Sequence, residues 1–137
     1  MDSKITIGVT GGIGSGKSVV CRIISTLGYP VFYADKEAKN LYFKDEVRAA
    51  VIDLFGTDSY TDKGLNRTFL AQQIYSNPQL KSKLESIIHP AVRTHFEEWV
   101  EQQSKSLVFA EAAILFETGS YKNYNYTILV TSPLELR

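Results

Sequence analysis

An eight-residue run near the amino end, Gly11-Gly12-Ile13-Gly14-Ser15-Gly16-Lys17-Ser18, constrains the fold of this chain more than any other feature. It fits G-x-x-x-x-G-K-[ST], a pattern that cradles phosphate groups. Glycines let the backbone take positive φ and come close to a ligand. Successive N–H groups then curl into a concave anion site. The following helix adds its unpaired N–H groups and the positive end of its dipole. Lys17 can reach the β- and γ-phosphates, and the Ser18 hydroxyl can ligate Mg²⁺. The flanks agree with this reading. Lys4 to Thr10 is rich in β-branched residues and reads as a buried strand. Ser18 to Leu27 carries apolar residues on a helical period, and Gly28 stands where such a helix stops. The competing reading is a glycine-rich turn that merely joins a strand to a helix.

The chain has 137 residues, which suits one domain with a core of its own. Fifteen basic residues balance fifteen acidic ones, so there is no polybasic field to draw nucleic acid or anionic lipid. Cys21 is the only cysteine, which rules out an intrachain disulfide and makes a reducing cytoplasm the natural compartment. On the first helix Cys21 reads as a small packed hydrophobe, with a reactive thiol as the alternative. No apolar run approaches a membrane span, and the amino terminus leads into a strand with no signal-peptide pattern.

Val31 to Asp35 reads as a second short strand, and from Lys36 to about Ser106 the pattern is helical. Val47, Val51, Leu54 and Phe55 share one face of a helix that Gly56 ends. Thr57 to Gly64 reads as a polar turn. Asn66 is placed to cap a helix carrying Leu70 and Ile74. Asn77-Pro78 marks a helix start, and Pro90 reads as the start of the next helix, which carries Val92, Phe96, Trp99 and Val100. Leu107 to Ala110 and Tyr126 to Val130 read as buried strands of a parallel sheet. The expectation is therefore an α/β fold, a parallel sheet flanked by helices. Its core is 1–35 and 107–137, with a helical insertion at about 36–106 after the second strand. Ligands of open α/β sheets sit at the carboxyl ends of the strands. That puts Gly11 to Ser18, Asp35 and the region around Glu111 at one rim.

A carboxylate at Asp35, facing a γ-phosphate, is suited to orient an acceptor hydroxyl and take its proton. The same residue is equally suited to cap a helix starting at Lys36. Glu111 ends an apolar strand, where an acidic residue holds Mg²⁺ through water or is simply a solvated carboxylate. A bound triphosphate with Mg²⁺ serves a switch, a motor or a small-molecule kinase. No N-K-x-D guanine-reading motif is present, which disfavours the first.

Thr10 to Ser18, reading TGGIGSGKS, resembles the loop of the dephospho-coenzyme A kinases. Other stretches agree in order and spacing. Leu27-Gly28 with Val31 to Asp35 is similar to the family segment ending in aspartate-x-aspartate. Phe55-Gly56 with Gly64-Leu65-Asn66-Arg67 is similar to its FG and G-x-L-x-R pattern. Ile88-His89-Pro90 resembles its histidine–proline pair, and Ile114-Leu115-Phe116-Glu117 its PLLFE segment. The resemblance implies transfer of the ATP γ-phosphate to the ribose 3′-hydroxyl of dephospho-coenzyme A, the last step in making coenzyme A. It implies that Ile13 to Ser18 bind ATP and that Asp35 is the catalytic base. The helical insertion would bind the acceptor. There Arg67 meets a phosphate or makes a surface salt bridge, and His89 contacts the substrate or packs at a helix end. The residues alone also admit another metabolite kinase with this core, or an inert nucleotide-binding module.

Departures from the family pattern are specific. Tyr33 stands where the family often has its first aspartate, Ala113 replaces a proline, and Val19 follows Ser18 where threonine is usual. Family members also run beyond Arg137 through a lid helix bearing arginines, so the sequence reads as truncated. Without those cations, weak or no turnover is expected of the 137 residues.

Overall fold

The β-branched run after Lys4 forms strand β1, Ile5–Thr10, at the centre of a four-stranded sheet in the order β2-β5-β1-β6. The other strands are β2, Val31–Tyr33, β5, Leu107–Glu111, and β6, Tyr126–Leu129. Every pairing is parallel. Parallel neighbours need crossover connections, and here helices supply the early ones. The fold is the α/β parallel sheet expected. The computed structural model describes residues 4–12, 15–112 and 124–131.

The chain divides into two compact units, one of residues 1–35 and 96–137, the other Lys36–His95. In the first, helix α1, Lys17–Thr26, buries Cys21 against Val9 and Phe109. It ends as its glycine suggested. Gly28 has φ +96°, its N–H bonds the Ser25 carbonyl, and the Tyr29 N–H bonds the Ile24 carbonyl. These two reversed bonds satisfy carbonyls that the helix end leaves open. A second apolar group joins Phe32 edge-on to Phe96 at 5.1 Å, with Trp99 at 5.3 Å.

The second unit has its own core of Leu41, Val47, Val51, Phe55, Tyr60, Leu70 and Ile88. Helix α3, Asp45–Phe55, supplies three of these residues and stops at Gly56, φ +95°. Asn66 caps helix α4, Arg67–Ser76, its Oδ1 accepting from the Phe69 N–H at 3.2 Å.

Four expectations are corrected. Residues 34 and 35 are not strand. β2 pairs only Val31–Tyr33 with Phe109–Glu111, where β5 ends, so the chain turns directly into helix α2, Ala34–Leu41. Asp35 therefore stands in the first turn of α2, neither at a strand end nor at an N-cap, where a carboxylate suits the helix dipole. Thr57 to Gly64 is more than a turn. A 3-10 turn, Thr57–Ser59, leads into a short antiparallel hairpin of β3, Tyr60–Thr61, and β4, Gly64–Leu65. Buried Tyr60 anchors it, its hydroxyl donating to the Tyr42 carbonyl at 2.7 Å.

Pro90 does not start a helix either. It lies inside a single helix, α5, Gln79–Gln102. Proline removes one intrahelical bond, but Leu84, Ile87, Ile88, Ala91 and Val92 form one continuous apolar stripe on the core across it. Packing of that stripe outweighs local propensity. Finally, β6 is not buried. Among the described residues it pairs only with β1, and Tyr126, Ile128 and Leu129 are exposed. Among the described residues no helix is long and apolar enough to cross a membrane.

Candidate active site

The phosphate loop hangs from the carboxyl end of β1. Thr10 is buried there, its carbonyl accepting from the Val130 N–H at 2.8 Å, and the Val9 carbonyl accepts from the Ala112 N–H at 3.1 Å. The glycines that follow do different jobs. Gly11 does not have positive φ. A Cβ on it would sit 2.6 Å from Ser15 Oγ and 2.7 Å from the Val130 carbonyl oxygen, so close approach excludes any side chain. A Cβ on Gly12 would meet nothing within 4 Å. Gly16 alone among the described loop glycines has positive φ, +94°, and it is the N-cap of α1 with no side-chain cap bond. Ile13 and Gly14 lie outside the described residues.

The Ser15 N–H bonds the Gly12 carbonyl at 3.1 Å and closes the turn. Ser15 Oγ is buried with no hydrogen-bond partner among the described residues. The first intrahelical bond of α1 runs from the Val20 N–H to the Gly16 carbonyl. The N–H groups ahead of it have no partner within the helix and present an anion site.

Lys17 does not extend into solvent. Its Nζ lies 2.6 Å from Glu111 Oε1, and the two side chains are only 14% and 16% exposed. Glu111 ends β5 in register with Val9 on one side and Tyr33 on the other, so the sheet itself sets the pair beside the loop. Cys21, one turn beyond Lys17, is fully buried. Burial pushes its thiol pKa up, the Glu111 carboxylate adds to this, and Lys17 partly offsets it. A thiol so held is a packing group rather than a nucleophile. Tyr33 is raised as well, first by burial and then by the charges of Cys21 and Glu111, against Arg22.

The structure brings Gly11, Gly12, Ser15, Gly16, Lys17, Ser18, Glu111 and Asp35 into the first unit; Ser18 and Asp35 are exposed. Arg67, the first residue of α4, and His89 on α5 are exposed in the second unit. Residues there that the sequence reading missed include Tyr42. Burial raises its phenol, Arg67 lowers it, and Glu85 raises it. With Ile74, Tyr75, Lys81 and Leu84 it lines a cleft of about 510 Å³. The helical periods could have found this cleft, since Tyr75 and Lys81 stand on α4 and α5 beside the apolar stripes. Ala113 and the Ile114 to Glu117 segment lie outside the described residues.

Mg²⁺ takes one or two protein oxygens together with substrate phosphates and water. The Ser18 hydroxyl and the Glu111 carboxylate are a donor set of that kind. No cluster of three or more candidate ligands, which an independently bound ion would want, occurs among the described residues.

Residues 5–137 match the family profile described as dephospho-CoA kinase. The dephospho-CoA kinase of Bacteroides fragilis is 38% identical over 135 residues, covering 97% of this chain and 66% of that protein. That of Salinibacter ruber is 43% identical, covering 93% and 67%. Among solved structures, one from Thermus thermophilus has a TM-score of 0.84 at 35% identity and covers 98% of this chain and 69% of its own. The dephospho-CoA kinase from Campylobacter jejuni has a TM-score of 0.69 at 26% identity, with coverage of 90% and 64%. The chain spans about two thirds of the length of the curated relatives it matches.

Proposed function

The chain belongs to the dephospho-CoA kinase family, and on that premise we propose that it serves the transfer of the ATP γ-phosphoryl group to the ribose 3′-hydroxyl of dephospho-coenzyme A. One observation carries the reading: β1 ends in a glycine loop whose shape depends on Gly11 and Gly16, and the loop opens into the uncapped amino end of α1. That arrangement binds a polyphosphate chain through main-chain N–H groups.

In this proposal the loop from Gly11 to Ser18 holds the β- and γ-phosphates, with Ile13 and Gly14 as part of it. Lys17 neutralises the oxygens that gain charge as the bridging bond breaks. Asp35 accepts the proton of the 3′-hydroxyl, whose oxygen then bonds the γ-phosphorus while ADP leaves. Ser18 and Glu111 would hold Mg²⁺, which supplies charge neutralisation across the phosphates when bound. Arg67 and His89 contact the acceptor. The family's chemistry makes ATP and dephospho-coenzyme A the partners, and the balanced charge of the chain gives neither nucleic acid nor a membrane surface a foothold. With a single buried thiol, the cytoplasm is the compartment we propose.

The test is Asp35→Asn in a version extended to the full length of the relatives, with calorimetric ATP titration beside mass-spectrometric detection of coenzyme A. Nucleotide affinity should stay within about threefold while transfer falls about 10²- to 10⁴-fold. An unchanged rate removes Asp35 from the chemistry. Absence of ATP binding to the intact protein refutes the reading itself.

A further inference from the structure

We propose that Glu111 holds Lys17 until nucleotide arrives, so that the nucleotide and a divalent cation bind as a coupled pair, each freeing the residue the other needs. This rests on the nucleotide-binding reading above and adds a second role to Glu111. The geometry is direct. Lys17 Nζ is 2.6 Å from Glu111 Oε1, with both side chains largely removed from solvent. Strand pairing fixes the Glu111 backbone at the end of β5 between Val9 and Tyr33. Ser15 Oγ, buried in the same loop, has no hydrogen-bond partner among the described residues.

The consequences follow from charge. A triphosphate that draws Lys17 to itself leaves a mostly buried carboxylate unpaired beside new negative charge, which is strongly unfavourable. A divalent cation, with its preference for hard oxygen ligands, replaces the ammonium at Glu111. Such a cation arriving alone would instead meet Lys17 across the same carboxylate, like charge against like. Only the joint exchange leaves both residues paired. Coupling of this kind is reciprocal: whatever the cation adds to nucleotide affinity, the nucleotide adds to cation affinity.

The test is ATP titration of the whole 137-residue chain, with and without Mg²⁺, in the unmodified protein and in the Glu111→Gln protein. With the holding charge gone, cation-free ATP affinity should rise about tenfold, and the enhancement given by Mg²⁺ should shrink by a similar factor. Unchanged or weaker cation-free binding overturns the proposal. In a Lys17→Met background the same Glu111→Gln change should bring no gain. An equal gain there would mean that Glu111 repels phosphate directly, which also overturns it. A measurement on the unmodified chain guards against variants that fail to fold. The Lys17 ammonium should give a ¹⁵N signal protected from solvent exchange in the empty protein; exchange as fast as that of surface lysines overturns the proposal. If ATP binds none of the folded proteins while that protected signal persists, the nucleotide reading beneath has failed and the ion pair has not.

Discussion

Glycine substitutions separate two reasons for a glycine-rich loop at the scale of single residues. Gly11→Ala puts a Cβ 2.7 Å from the Val130 carbonyl oxygen, a backbone atom that cannot rotate away. Overpacking of this kind costs about 1–3 kcal/mol. The expected outcome is a melting temperature lower by roughly 3–10 °C with weakened ATP binding. Gly12→Ala meets open space, so its melting temperature should match the parent, as differential scanning calorimetry will show. The sequence made a glycine loop between a strand and a helix legible. It could not show that Lys17 rests on Glu111, because a pairing across 94 positions (111 less 17) depends on strand register. Cys21 offers a pH test. Its pKa is raised on folding, chiefly by burial, so the folded state keeps a proton that the unfolded chain sheds near its ordinary value of about 8.5. The associated stability is complete below that pH and is lost as pH rises toward the folded pKa. Urea midpoints should fall over that alkaline range in the parent, and this part of the fall should vanish in Cys21→Ala, which is less stable throughout.

At the scale of elements, the strands and caps were legible wherever a local signal decided the structure. Asn66 and Gly28 cap helices as their chemistry suggests, since a cap needs only neighbours within a few residues. The misread elements were decided from a distance. The helix after Tyr33 begins early because β5 ends at Glu111, some 78 positions on (111 less 33). Pro90 stays helical because the stripe from Leu84 to Val92 is buried on a core that also includes Leu41 and Val51. Pro90→Ala restores an intrahelical N–H without disturbing the stripe, so it should stabilise the protein by about 1–3 kcal/mol. The readout is a higher urea midpoint with an unchanged slope. A destabilised Pro90→Ala protein would mean that the proline shapes the helix for a purpose other than stability.

For the whole molecule, the two units have separate apolar centres, one around Val9, Cys21 and Phe109, the other around Val51 and Ile88. The α/β class could be read from the sequence because β1, β5 and β6 are β-branched or apolar runs of strand length. Strand order could not, since no residue announces that β5 inserts between β1 and β2. Phe32 links β2 to Phe96 and Trp99 in the first unit. Phe32→Ala should cost about 3–5 kcal/mol. Hydrogen exchange should accelerate first in β1, β2 and β5, with a shift in Trp99 emission. Equal acceleration in α3 and α4 would show that the units open as one. The clamp on Thr10 has a further consequence. The loop is made well before Val130, yet its floor is the carbonyl of that residue. Its final shape must wait until a strand made some 120 positions later (130 less 10) has docked. The nascent chain would thus carry its phosphate motif before the backbone oxygen that floors it is in place, a contact set by topology rather than by neighbours in sequence.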